Sequence, residues 1–470
     1  MRAAVDLLDA GPFDVVVLGG GNAALVAALT AREAGRRVLL LERAPEAQRG
    51  GNSRHTRNIR CVHDGNDGRS VGGYGFDELW SDLCGVGDGP ADEKLAALTI
   101  RASAELPAWM SARGVRWQAA LAGTLQLDRT NRFFLGGGKA LVNTYYRRAA
   151  ALGVHVAYGV TAEDLVVEGD RCTAVVASCA GRTFEVAAKA VVCAAGGFEA
   201  NLEWLRAYWG DAVDSFVVRG PRDNDGRVLR ALYRAGARRV GREEGFHAVA
   251  VDARSPRFDG GIATRIDAIP FGIVVNRDAQ RFYDEGEDIW PKRYAQWGRN
   301  IARQPGQIAY CLWDSKAAGR FLPPMFPPLQ AGSVDELALQ LGLDPRALGA
   351  TVDSYNSRAG DPATFRPGEP DGCATRGLVP PKSNWALPLD QPPFFAVPLR
   401  PGITFTYLGV AVDERGRVVG ADGTPFVNVT AAGEIMSGNI LSSGYLAGFG
   451  MTIGTVWGRI AGRTAADVAA

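Results

Sequence analysis

Residues 13–43 read FDVVVLGGGNAALVAALTAREAGRRVLLLER, and the fold turns on how this stretch is read. Val15, Val16, Val17 and Leu18 form an unbroken apolar run, the pattern of a strand covered on both faces. Gly19, Gly20 and Gly21 follow at once, and Ala24 completes a G-x-G-x-x-A pattern that starts at Gly19. In such a turn the first glycine allows the sharp bend. The second lets backbone N–H groups approach a pyrophosphate, and the small third residue lets the next helix pack close to the strand. That helix would aim its unpaired N–H groups and positive dipole end at the phosphates. Leu39, Leu40 and Leu41 give a second strand. Glu42 closes it about twenty residues on, where an acid accepts hydrogen bonds from ribose hydroxyls. The alternative is an ordinary βαβ unit with a glycine-rich turn. Strand, turn, helix, spacing and acid all occur together here, which favours a dinucleotide.

The chain has 470 residues, enough for two domains. Its net charge of +1 gives no reason to expect a nucleic-acid partner. The opening MRAAVDLLDAG is too short and too acidic for a signal peptide, and no run of about 18 apolar residues suggests a membrane span. Seven scattered cysteines without a C-x-x-C pair predict neither an iron–sulfur cluster nor a structural zinc, and a reducing cytoplasm is expected. His55 and His63 have no other metal-type residues at ligand spacing, so no metal site is predicted.

Beyond the first unit, RGGNSRHTRNIR at 49–60 is a polar loop flanked by Arg49, Arg54, Arg57 and Arg60, suited to phosphates or a flavin ring. Apolar spacing predicts a helix over 91–114. A second glycine run, Gly136-Gly137-Gly138, precedes a predicted helix over 140–152. Residues 154–192 read as a small antiparallel meander with turns at 168–170 and 180–181. They lead into Ala194-Ala195-Gly196-Gly197, whose small side chains let backbone pass close to a nucleotide. A helix is predicted from Asp225-Gly226 to about residue 235. From residue 243 proline and aromatics become frequent and the αβ alternation stops, with one helix predicted over 334–348. The nucleotide-type pattern returns near residue 404 and ends in a helix over 451–468. The predicted fold is therefore α/β. A Rossmann-like FAD-binding domain with a small antiparallel meander (1–242 and 404–470) carries an inserted α+β substrate-capping domain (243–403).

GGGNAAL, GGNS, AAGGFE, NRDAQRFYDEG, GITFTYLGV and AGEIMSGNILSSGYLAGFGMTIGTVWGRIAG together resemble the succinate dehydrogenase/fumarate reductase flavoprotein superfamily over almost the whole length. Within it, GGNSRHTRN, RFYDEGED, KSNWA and GYLAGFGMTIGTVWGRIAG are most similar to the tricarballylate dehydrogenase branch. The resemblance implies an FAD enzyme that desaturates a carbon–carbon bond beside carboxylates, as in tricarballylate to cis-aconitate. A separate membrane iron–sulfur/haem protein would accept the electrons. Pro291-Lys292-Arg293-Tyr294-Ala295 also resembles the flavoprotein half of an oxygen-dependent precorrin-3B synthase, so a larger ring substrate stays open. A noncatalytic electron-transfer subunit is the third reading. The superfamily's histidine before T-x-G-G and its late arginine are replaced by Phe405 and Tyr445, which argues against fumarate or succinate. Asn52 stands where covalent members carry a histidine, so FAD is expected to be noncovalent.

For FAD the motif points to Gly19, Gly21, Asn22, Ala23, Glu42 and Arg43. Family position adds Asn52, Ser53, Gly137, Ala195, Gly196, Asp225, Gly433 and Glu434, and Gly450, Met451 and Thr452 beneath the isoalloxazine. Val160 is expected beside the adenine. Desaturation needs a hydride acceptor, a base, and cations for the charge building on the carboxylate. Family position assigns the proton exchange to Arg293, relayed by Glu285 or Glu287, and a substrate contact to His247. Arg265, Arg400, Thr404, Thr406 and Tyr445 are the further candidates for binding a carboxylate, a task that suits the planar guanidinium fork.

Overall fold

Strand Phe13–Leu18 pairs in parallel on both sides, with Val38–Glu42 and with Arg182–Cys193. Val15, Val16 and Val17 are fully buried between them. Each such side chain contributes about 1.5–3 kcal/mol through removal from water. The structure is a computed structural model and describes residues 2–65, 68–119 and 127–470. His155–Tyr158 extends the parallel sheet on one side. Pro425–Ala431 extends it on the other, and Arg417–Val419 adds an antiparallel edge. The meander is Thr161–Glu168, Arg171–Cys179 and Arg182–Cys193. Its last strand has two duties. The half before Ala188 pairs with the meander, and the half from Ala188 to Cys193 pairs with Phe13–Leu18. The meander is thus rigidly continuous with the nucleotide sheet.

Helix Asn22–Glu33 lies against the last helix, Phe449–Val468. Gly454, Gly458 and Gly462 recur every four residues and so share one helical face. A Cβ on Gly458 would come within 2.7 Å of the Ala23 carbonyl oxygen, and one on Gly462 within 2.5 Å of that of Ala27. The close approach of the two helices therefore requires glycine at both positions. It also brings both helix N-termini to the same side of the sheet.

A second sheet has six strands. Phe246–Asp252, Phe394–Thr406, Ala309–Asp314 and Ile273–Asn276 run in that order, and Leu329–Ala331 and Val217–Val218 also pair with Phe394–Thr406. The expected boundary at 403/404 thus falls inside a 13-residue strand, and Val217–Val218 joins this sheet from before residue 243. Ile273, Val275, Leu337, Leu348, Val352 and Tyr355 form a core of their own behind it.

Several predicted helices differ in extent. The 91–114 segment is two helices, Glu93–Ser103 and Leu106–Ser111, and the second restarts at Pro107, which lacks the N–H needed to continue the first. The 334–348 segment likewise divides into Val334–Leu341 and Pro345–Asn356. Gly342 ends the first in a left-handed conformation (φ 70°). The helix expected at 140–152 begins earlier, at Gly137, and the one expected to reach 235 is Arg227–Arg234. No described helix is long and apolar enough to cross a membrane.

Candidate active site

A cleft runs from the first glycine turn to the second sheet and holds about 1720 Å³ of space outside the protein atoms, part of it open to solvent. At one end Gly19, Gly21, Asn22, Ala23, Glu42 and Arg43 line it, with Val160 beside them. A Cβ on Gly19 would stand 2.4 Å from the Ala194 carbonyl oxygen, so the turn admits only glycine there. The Asn22 N–H donates to Ser53 Oγ (2.9 Å), which fixes the polar loop over the turn. The N-caps Gly21 and Gly448 carry no capping side chain; in the first turns Ser53 Oγ takes the Asn22 N–H and the Tyr445 hydroxyl takes the Gly450 N–H (2.9 Å). Two electropositive helix ends face one space, which suits an anion. Asn52, Ser53, Ala195, Gly196, Asp225, Gly433, Glu434, Gly450 and Met451 also line it. Asn22 Oδ1 and Asn52 Oδ1 are buried on this wall with no hydrogen-bond partner. These orphaned atoms, the glycine cradle and the cleft's length fit a dinucleotide cofactor.

Two expected cofactor residues are elsewhere. Gly137 donates its N–H to Phe134 (2.9 Å), and its neighbour Gly138 lies so close to the Ser53 carbonyl that a Cβ would reach 2.1 Å. The second glycine run therefore braces the polar loop from behind. Thr452, expected to offer its backbone N–H to the isoalloxazine, does not line the cleft: that N–H lies 3.4 Å from the Gly448 carbonyl oxygen and its hydroxyl donates to the Arg60 carbonyl oxygen. Glu42 reaches the cleft, yet its carboxylate accepts from the Ala44 N–H (2.9 Å) and the Gly50 N–H (3.2 Å). Burial pushes its pKa up, and those backbone bonds work against the rise.

At the other end three guanidinium groups, Arg57, Arg219 and Arg265, converge with His247, Tyr294 and Tyr445. Burial lowers Arg57 to about 10 with Arg265 adding to it, and burial lowers Arg219 to about 10 in the same way. Burial acts to lower Arg265 too, but Asp267 reverses the sign through contacts of 2.6 and 2.8 Å. Trp290 Nε1 donates to the same Asp267 Oδ1 at 2.6 Å. Among the described residues this carboxylate pairs with Arg265 and not with Arg57 or Arg219. His247 is fully buried and stacks on Tyr445 at 3.9 Å, and neither ring nitrogen has a partner. Burial, helped by Arg219 and Arg265, holds its imidazole well below the usual range, so the ring is neutral. Burial raises the Tyr294 phenol although the three arginines pull the other way. Thr404 lines the cleft and accepts from Arg219 at 2.9 Å.

The remaining candidates are not brought here. Arg293 faces Glu287 (3.5 Å) and Asp288 (3.8 Å) outside the cleft. Glu287 accepts from the Tyr283 hydroxyl. Glu285 is buried in an ion pair with Arg281 and accepts the Val274 N–H at 2.8 Å, so it has no free edge for a relay. Arg400 donates to Ser215 (3.1 Å) and to the carbonyls of Gly306 and Gln307. Thr406 is bound to Glu434 (N–H 2.9 Å, hydroxyl 3.2 Å) behind the wall. Arg219 carried no sequence signal beyond the Arg-Gly-Pro it begins. Arg57 was visible only as one of four arginines around the polar loop. Trp290 and Trp297, which would mark a wide aromatic pocket, are buried away from the cleft, and only Phe405 of that trio reaches it.

The family described as FAD binding domain matches residues 14–445. Among curated relatives, the NADH:fumarate oxidoreductase of Klebsiella pneumoniae (strain 342) is 27% identical over 97% of this chain, and the chain spans about half of it (48%). The 4-oxocyclohexanecarboxylate 2-dehydrogenase of Sinomonas cyclohexanicum is 27% identical over 97% of the chain and 93% of its own length. In structure, the open conformation of a flavocytochrome c3 fumarate reductase superposes with a TM-score of 0.74 at 23% identity, covering 100% of this chain and 81% of its own. The 3-ketosteroid delta1-dehydrogenase of Sterolibacterium denitrificans gives 0.76 at 18% identity, covering 97% and 99%. These two show the shared fold. With its glycine turn, meander and second sheet arranged around one cleft, this chain belongs to the FAD binding domain family, within the succinate dehydrogenase/fumarate reductase flavoprotein superfamily.

Proposed function

We propose that this chain is an FAD-dependent dehydrogenase acting on a CH–CH group beside a carboxylate, with tricarballylate to cis-aconitate as the leading reaction. The observation that carries the reading is the excess of buried positive charge at the cleft's far end. Asp267 pairs with Arg265, and among the described residues Arg57 and Arg219 form no ion pair. Buried cations without a counter-charge are costly, and an incoming polycarboxylate supplies the missing charges while the planar forks fix its orientation. Relatives named for reactions on fumarate and on 4-oxocyclohexanecarboxylate support a carboxylate-bearing substrate.

The bound flavin supplies the two-electron hydride chemistry. The chain binds and orients the substrate, and it stabilises the negative charge that builds on the carboxylate next to the reacting carbon. Two uncharged cleft-lining groups, the Tyr294 hydroxyl and a His247 ring nitrogen, are the ones placed to move the substrate proton. The Gly19–Gly21 turn and the two helix N-termini would hold the phosphates. Residues 243–403, with Val217–Val218, would form the cap. FAD is held noncovalently, electrons pass to a separate acceptor protein, and the setting is cytoplasmic.

The test is anaerobic flavin reduction. The purified yellow protein should bleach with tricarballylate and not with succinate. Bleaching by a cyclic carboxylate or a tetrapyrrole alone would move the substrate to a larger ring. No bleaching by any of them would leave the electron-transfer reading. Acid precipitation should release the flavin into the supernatant, and a coloured pellet would mean covalent attachment.

A further inference from the structure

Between the cofactor cleft and strand Phe394–Thr406 lie two carboxyl groups with no cation beside them. Glu199 is fully buried, and Glu434 is 8% exposed, on the cleft wall. Asn52 Nδ2 and Asn224 Nδ2 each donate to Glu199 Oε1 at 2.6 Å. Asn52 Nδ2 also lies 3.5 Å from Glu434 Oε2. The other Glu434 oxygen accepts from the Thr406 N–H and hydroxyl. Gly197 makes room for this nest, because a Cβ there would stand 2.3 Å from Glu434 Oε1 and 2.0 Å from Thr406 Oγ1. One amide nitrogen, Asn52 Nδ2, therefore bridges the two carboxyls, 2.6 Å from one and 3.5 Å from the other. Yet Glu199 Oε2 receives no hydrogen bond from any donor among the described residues. Among the described residues no lysine or arginine forms an ion pair with either group. The phenols of Tyr407 and Tyr445, which carry no positive charge, face Glu434.

Two carboxylates in contact, buried and without a cation, cannot both stay ionised, and one proton between them turns repulsion into a hydrogen bond. We propose that Glu199 and Glu434 hold a single proton between them, so that Glu434 meets the cofactor as part of a proton-sharing acid pair rather than as a free anion. The pair is a positioning device. It ties the polar loop through Asn52, the turn after Gly196–Gly197 and the end of strand Phe394–Thr406 into one wall beneath the cofactor, and it leaves one negative charge there instead of two. Burial, with the Glu199 carboxyl adding to it, raises Glu434 well above the usual carboxylate range. Burial raises Glu199 also. The inference rests on the cleft being the FAD site.

The experiment is infrared spectroscopy of the full chain at about pH 8, with and without FAD, using carboxyl-labelled glutamate to assign bands. A protonated-carboxyl carbonyl band is expected in both states. It should be lost in Glu434→Gln and in Glu199→Gln and retained in Glu42→Gln, which removes the other buried raised acid. Glu199→Gln should keep its FAD dissociation constant within about threefold, since an amide replaces the shared proton, whereas Glu434→Ala should raise it about tenfold or more. Sign follows from linkage. Above the ordinary glutamate value of 4.5 the folded chain holds one proton more than the unfolded chain. Wild-type stability therefore falls as pH rises through that window, by up to roughly tenfold in the folding constant per pH unit, and Glu434→Gln removes the slope. A wild-type spectrum without the band, or a band surviving in both glutamine variants, overturns the proposal. Reading the apoprotein keeps that failure separate from a failure to bind flavin.

Discussion

Two regions of the molecule are equally dense in charge, and they do opposite things with it. In the segment 281–293, Arg281 meets Glu285 with both side chains almost fully buried (4% and 0% exposed), and Arg293 meets Glu287 and Asp288 nearer the surface. Each arginine and lysine there has a carboxylate of the chain within 4 Å. At the cleft, Asp267 pairs with Arg265, Arg57 and Arg219 form no ion pair among the described residues, and His247 has both ring nitrogens unanswered. A self-satisfied cluster holds the cap together, whereas an unsatisfied one in a cavity waits for a ligand of opposite sign.

The largest effect expected from this contrast is on stability. Arg281→Ala strands the Glu285 carboxylate in the interior and should cost about 3–5 kcal/mol in chemical denaturation. A cost under about 1 kcal/mol would mean that water reaches the pair and would erase the contrast. Next comes Arg219→Ala, which should slow substrate-driven flavin reduction by about 100-fold or more while the protein stays yellow. An unchanged rate would move the substrate away from this cluster. A third measurement sharpens the cap side. Lys382 is fully buried, donates to the Gly272 carbonyl oxygen, and is lowered by burial from 10.5 to about 8. Between those values the unfolded chain holds a proton that the folded chain has released, so stability should rise with pH by up to about 1 kcal/mol per unit. Lys382→Met should flatten that rise, and an identical slope in both proteins would show Lys382 charged throughout. The smallest effect belongs to Arg293→Ala, with stability within about 0.5 kcal/mol and flavin reduction within about twofold of wild type. A collapse in turnover would return the proton exchange to the position that the family pattern gave it.

Arg293 shows where linear reading runs out. A short motif gives a residue a place in order, but its side chain goes where the nearest carboxylates are, and here those are Glu287 and Asp288. His247 was legible through the family resemblance, which puts a substrate-contacting histidine at its place in GFHAVAVD. Arg219 was not, because its role comes from Val217–Val218 joining a strand nearly two hundred residues away in the chain. The same crossing placed 403/404 inside Phe394–Thr406, where a change of composition does not coincide with a change of sheet.

The sequence by itself determined the nucleotide half: the apolar run, the glycine turn, the acid at its set distance, the meander and the final helix. These follow from contacts close in the chain, where φ, ψ and side-chain size decide the outcome. Only the tertiary structure decided which charges are spent and which are free. An ion pair depends on distance in space, and the arginines at 57, 219 and 265 meet around one void only after both sheets have formed.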